Sequence, residues 1–248
     1  MEHLRISTMT AVGKLSTDID LEKMYNSLRI DEIVKFVEYK KQYKGYSKKL
    51  EKKSRKKKEK VTFYNQSTIH IFYKDKIINV KLFNNGKVQM TGLKYEKQGI
   101  EVLNIIKDIF MKDYDIEFLD KEKLEINDYD IVLINSDFDI KYSINRELLH
   151  REIIDEGLYS TYEPCMYPGV NIKYYFNNNN QKSGICKCNE KCNGKGKGNG
   201  DGDCKRVTIA VFASGKIIIT GGRTNNQLVD SYNFITNILK DKNKFSMK

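Results

Sequence analysis

Apolar and polar residues change their spacing along this chain in an order that occurs twice. Val80-Lys81-Leu82-Phe83 and Lys87-Val88-Gln89-Met90-Thr91 alternate with period two around Asn84-Asn85-Gly86, which predicts a hairpin with glycine where φ must be positive. Past Gly92 the period lengthens, and Ile100, Leu103, Ile106 and Phe110 recur at helical spacing. The same order returns downstream as Thr208 to Phe212, Ala213-Ser214-Gly215, Lys216 to Thr220, and then Leu228, Tyr232, Ile235 and Leu239. Each copy is expected to end in a hairpin followed by a helix of about four turns.

Superposing Phe83 to Phe110 on Phe212 to Leu239 at a constant offset of 129 matches nine identities in 28 positions, among them Phe83/Phe212, Gly86/Gly215, Lys87/Lys216 and Thr91/Thr220. Ungapped agreement of this kind marks two copies of one supersecondary unit. Upstream, Ile6 to Ala11 reads as a strand. Leu21, Met24, Tyr25 and Leu28 form a helical stripe behind the capping candidates Asp18 and Asp20. A second helix is expected from near Asp31, carrying Ile33, Phe36 and Val37. In the other half, Tyr129 to Ile134 reads as a strand and Leu148 to Ile154 as a helix. Antiparallel sheet with helices on one face is the simplest α+β solution for this order.

Alternation sends Val80, Leu82, Val88 and Met90 to one face, with Ile209, Val211, Ile217 and Ile219 as counterparts, and these apolar sets must meet the helices. The opposite face then holds Lys81, Phe83, Lys87, Gln89 and Thr91 in one copy, and Thr208, Ala210, Phe212, Lys216, Ile218 and Thr220 in the other. A surface of small, apolar and hydroxyl groups, with an aromatic at each hairpin tip and a lysine past the turn, suits the DNA minor groove. Proteins that bind there insert apolar wedges between base steps and hold phosphates with cations. The competing reading of each phenylalanine is that it finishes the core under a loop.

Charge adds a partner class. The net charge is +11, but Lys40 to Lys60 alone holds twelve Lys or Arg and two Glu, a balance of +10 that leaves +1 for the rest. That run reads as a solvated loop, an arm for phosphates or an import signal. No run of apolar residues is long enough to span a membrane, and the opening residues lack the apolar core of a secretory signal, so a soluble intracellular protein without a membrane partner is expected.

These residues resemble a known family. Phe212-Ala213-Ser214-Gly215-Lys216-Ile217-Ile218-Ile219-Thr220-Gly221 is similar to the TATA-box-binding protein signature Phe-x-Ser-Gly-Lys-x-x-x-Thr-Gly, and Phe83 to Gly92 is a looser copy. Ser160-Thr161-Tyr162-Glu163-Pro164-Cys165-Met166-Tyr167-Pro168-Gly169 resembles the family's stirrup, Ser-Ser-Tyr-Glu-Pro-Glu-Leu-Phe-Pro-Gly, and holds both prolines of the chain. Ile6-Ser7-Thr8-Met9 resembles the family's Val-Ser-Thr-Val. The likeness covers nearly the whole chain apart from insertions at roughly Lys40 to Lys60 and Asn177 to Lys205. It suggests divergent members of the kind carried by large DNA viruses or a fast-evolving eukaryote.

The resemblance implies an α+β saddle of two pseudo-symmetric repeats, 1–120 and 121–248, joined in one curved antiparallel sheet of about ten strands with about four main helices on the convex face. It implies a general transcription initiation factor that binds and bends A·T-rich promoter DNA, then recruits a transcription factor IIB-like protein and RNA polymerase. Such a protein would be monomeric on DNA and would work in the nucleus or, if viral, in a cytoplasmic viral factory. Phe83, Phe212 and Tyr167 would be wedges, with Phe63, Tyr64 and Gln66 competing for the fourth place. Thr91 and Thr220 would bond base edges, and Ile6 and Ile218 would touch the groove floor. Lys87, Lys94, Lys173, Lys216 and Arg223 would hold phosphates, and Glu163, Pro164 and Cys165 would form the surface for transcription factor IIB. The family's two central asparagines fall on Leu4 and Leu133, with Asn135 placed to compensate, and the groove positions of the first copy are the polar Lys81 and Gln89, where the second has Ala210.

Two further readings are an architectural DNA-bending protein without promoter choice and an accessory module of a nucleic-acid enzyme. His3, His70 and His150 lie in no catalytic motif, and no catalytic constellation is expected. Cys186, Cys188, Cys192 and Cys204 offer four thiolates, enough for a structural zinc but without paired Cys-x₂-Cys knuckles; free thiols in a loop are the alternative, and no cofactor is required.

Overall fold

The computed structural model describes residues 4–47, 63–177, 183–186 and 204–246. Eleven strands lie among them: β1 (Arg5–Leu15), β2 (Val34–Tyr39), β3 (Gln42–Gly45), β4 (Gln66–Tyr73), β5 (Lys76–Phe83), β6 (Lys87–Leu93), β7 (Ile126–Asp139), β8 (Tyr159–Thr161), β9 (Val170–Phe176), β10 (Lys205–Val211) and β11 (Lys216–Gly222). Four principal helices are α1 (Leu21–Ser27), α2 (Glu96–Met111), α3 (Arg146–Asp155) and α4 (Asn225–Ile238), followed by the single turn α5 (Lys242–Phe245).

The chain forms two compact units, Met9–Val132 and Met1–Thr8 with Leu133–Lys248, so the divisions fall inside β1 and β7. In the first unit the strands neighbour one another in the order β3-β2-β4-β5-β6-β1, and in the second β7-β11-β10-β9-β8. Every strand pairing within a unit is antiparallel among the described residues.

The alternation read from the sequence sets which side is core. Val80, Leu82, Val88 and Met90 are buried, as are Ile209, Val211, Ile217 and Ile219. Against them α2 packs Val102, Leu103, Ile106, Ile109 and Phe110, and α4 packs Leu228 and Ile235. Each such side chain stabilises by roughly 1.5–3 kcal/mol relative to exposure. Ile100, at the start of the expected stripe, is 43% exposed; the stripe turns through Val102 and Leu103 instead. Caps follow local chemistry: the Asp20 carboxylate accepts from the Glu22 and Lys23 amides at the start of α1, Asn145 accepts from Leu148 N at α3, and Thr224 with Gln227 closes a capping box on α4.

The segment after Asp31 is a strand, not the expected helix. β2 buries Val34, Phe36, Val37 and Tyr39 and pairs on both edges, with β3 and with β4. The turn into β3 is made by Lys40 and Lys41, both at positive φ (48° and 70°), so the first residues of the Lys-rich insertion are part of a hairpin. Lys48 to Lys60 lie outside the described residues.

Candidate nucleic-acid interface

Across the unit that holds Phe83, the face turned away from α1 and α2 is organised in rows by strand pairing. Val12, Gln89, Lys81, Thr68 and Glu38 form one row, and Thr10, Thr91, Asn79 and His70 form the next. In the other unit the corresponding rows are Asp137, Ile218, Ala210, Asn171 and Thr161, then Asn135, Thr220, Thr208, Lys173 and Tyr159. The second set is the smoother surface: Ala210 is buried, Ile218 is 37% exposed, and the Thr220 hydroxyl donates to Asn135 Oδ1.

Both hairpin tips are pinned in the same way. Gly86 and Gly215 have φ of +76° and +83°, and a Cβ on either would lie 2.3 Å from a backbone oxygen, that of Leu15 or of Tyr142. Leu15 N donates to Gly86 O at 2.9 Å and Ile140 N to Gly215 O at 3.1 Å. Glycine is required there twice over, by φ and by approach.

Phe83 and Phe212, at these tips, are half-buried, with part of each residue open to solvent. Tyr167 is 38% exposed and its ring lies 5.7 Å from that of Phe212. Gly169 sits against both: a Cβ there would be 2.8 Å from Tyr167 and 3.2 Å from Phe212. The stirrup is a turn closed by Glu163 O, which accepts from Met166 N and Tyr167 N at 2.9 Å each. Glu163, Pro164 and Cys165 are exposed, and Met166 is 88% exposed. From below, the Arg146 guanidinium donates to Pro168 O and lies over the Tyr162 ring.

Register identifies the fourth aromatic. Val211 pairs with Val170, so Phe212 faces the position of Gly169, and Tyr167 stands two residues before it. Phe83 pairs with Gln66, and the residue two before that is Tyr64, 70% exposed. Of Phe63, Tyr64 and Gln66, Tyr64 is therefore the counterpart of Tyr167. Its carbonyl accepts from the Tyr39 hydroxyl, and Lys40 Nζ lies 6.0 Å from its ring centroid.

The first strands relate differently from the hairpins. Met9 pairs with Leu93 and Ile134 with Gly222. Ile19 N donates to Asn84 O and Ile144 N to Ala213 O. Leu93/Gly222 and Asn84/Ala213 keep the offset of 129, whereas Met9/Ile134 and Ile19/Ile144 stand 125 apart. At the offset of 125 the residue of β1 equivalent to Leu133 within the repeat is Thr8. Arg5 and Ser7 both turn toward Asp137, and Ile6 between them is half-buried. The register shift between Met9 and Thr10 skips Gly92 of β6, after which Thr10 and Val12 stand opposite Thr91 and Gln89.

Among the cations, Lys87, Lys216 and Arg223 are exposed and Lys94 is half-buried. Lys173 is half-buried on the face itself, where Nζ donates to Thr208 Oγ1 at 3.0 Å. Burial, aided by repulsion from Arg206, pushes its ammonium below the ordinary lysine range. Near the start of β10, Cys186 Sγ and Cys204 Sγ lie 3.5 Å apart, and Asn177 Nδ2 donates to Cys204 Sγ at 3.6 Å. That separation is too long for a disulfide. Cys188 and Cys192 lie outside the described residues, and among the described residues no three His, Cys, Asp or Glu side chains gather as a metal site.

Comparison with known proteins agrees with this geometry. Residues 128–242 match the family model described as transcription factor TFIID, or TATA-binding protein. The chain is 30% identical over 255 residues to a TATA-box-binding protein-like protein of Acanthamoeba polyphaga mimivirus, covering 96% of this chain and 65% of that one. It is 24% identical over 166 residues to the TATA-box-binding protein of Strongylocentrotus purpuratus, covering 66% of this chain and 48% of that one. The chain thus spans less than two thirds of either relative. The solved Methanococcus jannaschii TBP shares the fold, with a TM-score of 0.52 at 19% identity over 96% of this chain and 97% of that one. Repeat, stirrup signature, fold and relatives together support a divergent, TATA-box-binding-protein-like protein.

Proposed function

We propose that the chain binds the minor groove of A·T-rich promoter DNA, bends it, and presents the bent duplex to a transcription factor IIB-like protein and RNA polymerase. The observation that carries this reading is the Tyr167–Phe212 pair at a hairpin tip, beside a face of Thr208, Ala210, Ile218 and Thr220. Aromatic rings at the rim of a small-residue surface are what unstacking a base step requires, and Lys216 and Arg223 supply phosphate contacts around it. Phe83 with Tyr64 supplies the second pair. Asn135, held by Thr220, offers its amide to groove acceptors, while Leu4 and Leu133 stand at the two positions where the resemblance puts the family's asparagines. The exposed turn Glu163-Pro164-Cys165 is the surface for the transcription factor IIB-like partner.

The test is bending measured by fluorescence transfer across an end-labelled A·T-rich duplex. Phe212→Ala is expected to reduce the bend while leaving the salt-dependent encounter rate nearly unchanged. An unaltered bend in that variant removes the wedge role and with it this reading.

A further inference from the structure

A carboxylate stands on the face proposed to meet DNA. Arg5, Ser7, Asp137, Phe212, Lys216 and Ile218 line a cleft of about 770 Å³ within one unit. Asp137 pairs directly with Ile218, in the row that continues through Ala210 and Asn171. At the equivalent strand position of the other unit stands Val12, opposite Gln89. Arg5 Nη2 donates to both carboxylate oxygens, at 3.1 and 2.8 Å, and Ser7 Oγ donates to Oδ1 at 2.9 Å. The Arg5 side chain is 76% exposed and that of Asp137 31%.

A carboxylate only accepts hydrogen bonds, and in the minor groove an A·T pair presents only acceptors. A G·C pair adds a single donor, the guanine N2 amino group. Facing an A·T pair, Asp137 would be repelled; facing guanine it is satisfied. We infer, resting on the minor-groove reading above, that Asp137 accepts a hydrogen bond from a guanine N2 amino group, so that the unit holding Phe212 selects one G·C pair inside an otherwise A·T-rich site. Arg5 is the displaceable partner, because an exposed ion pair contributes little. Its guanidinium moves to a phosphate on binding, while Ser7 keeps the carboxylate oriented. Val12 makes no such demand, so the recognition is one-sided and gives the site a direction.

The experiment uses the full chain and fluorescence anisotropy. A single G·C pair is walked through an A·T-rich duplex. At each position guanine is exchanged for inosine, which lacks the N2 amino group, and adenine for 2,6-diaminopurine, which carries it. At one position guanine is expected to bind about tenfold tighter than inosine, and diaminopurine tighter than adenine, the size of effect a good base contact gives. Asp137→Ala abolishes both differences and binds the all-A·T duplex more tightly than the wild type. Asp137→Asn, close in shape, reverses the preference because its amide donates to the acceptors of an A·T pair. Duplex deformability acts in the opposite sense, since the pairs lacking the amino group have one hydrogen bond fewer and bend more easily. Equal affinity for guanine and inosine at every position, with salt-dependent binding retained, overturns the Asp137 contact and leaves the minor-groove reading standing. Absence of binding to any duplex overturns both, and the wild-type comparison needs no variant to fold.

Discussion

The ring of Phe212 meets that of Tyr167 at 5.7 Å with an interplanar angle of 60°, and Gly169 lies where a larger residue would part them. A pair of tilted rings in contact restricts each ring's rotamers, so the proposed wedge would be shaped before DNA arrives. The single glycine behind the rings is the simplest place to disturb that arrangement without touching either aromatic.

Gly169→Ala places a Cβ 2.8 Å from Tyr167 and 3.2 Å from Phe212. The rings must shift, at a cost of about 1–3 kcal/mol if the neighbourhood resists. The expected outcome is a small loss of thermal stability with a larger loss of DNA bending. Bending equal to the wild type, measured on the same duplex, would show that ring placement is not what sets the kink.

The hairpin glycines make a matched pair. Gly86→Ala and Gly215→Ala each combine positive φ with a Cβ 2.3 Å from a backbone carbonyl oxygen, that of Leu15 or of Tyr142. Backbone, not a flexible side chain, is the obstacle, so each should cost more than the roughly 1 kcal/mol of a Gly-to-Ala change at positive φ alone. Urea denaturation should find losses of similar size in the two variants. A neutral result at either tip would mean that the backbone of Leu15 or Tyr142 relaxes freely.

Much of this fold is legible because its signals are local. The hairpins show in their glycines and in alternation, α1 in Asp20, and the core in the period change after Gly92. β2 is harder to read for a physical reason. Ile33, Phe36 and Val37 fit helical spacing as well as a strand, and the turn that decides the matter uses Lys40 and Lys41 at positive φ, where sequence alone would look for Asn or Gly. The repeat offset of 129 changes to 125 at β1 and β7 because the span from the first strand to the hairpin tip is four residues longer in the second copy, Ile144 to Ala213 against Ile19 to Asn84. Asp137 shows the same limit, since as a sequence it is one acidic residue among many, and only pairing puts it opposite Ile218.

Removing charge from Lys52 to Lys60, which lies outside the described residues, should flatten the salt dependence of DNA binding. The slope of log affinity against log salt falls by about 0.9 for each phosphate that is no longer neutralised. The bend angle should stay as it is, because the proposed function places bending at the rings. An unchanged salt slope would assign that run to something other than holding phosphates.

Under the proposed function, Lys173 would set stability against binding. Its ammonium is half-buried beside Thr208, and burial first, then Arg206, lowers its pKa in the folded protein below the 10.5 of an ordinary lysine. The unfolded chain therefore holds this proton more tightly than the folded one, and stability rises with pH through the interval between the lowered value and 10.5. Below that interval the charged side chain is a fixed liability of the free protein. Lys173→Met should raise the neutral-pH melting temperature, remove that alkaline rise, and weaken DNA binding with a salt slope shallower by about 0.9, the share of one phosphate. Thermal melts at neutral and alkaline pH, paired with anisotropy titrations at several salt concentrations, read both sides of the exchange. A variant that is no more stable at neutral pH, or that binds DNA as tightly as the wild type, would show that burial of this lysine is not being repaid by a phosphate.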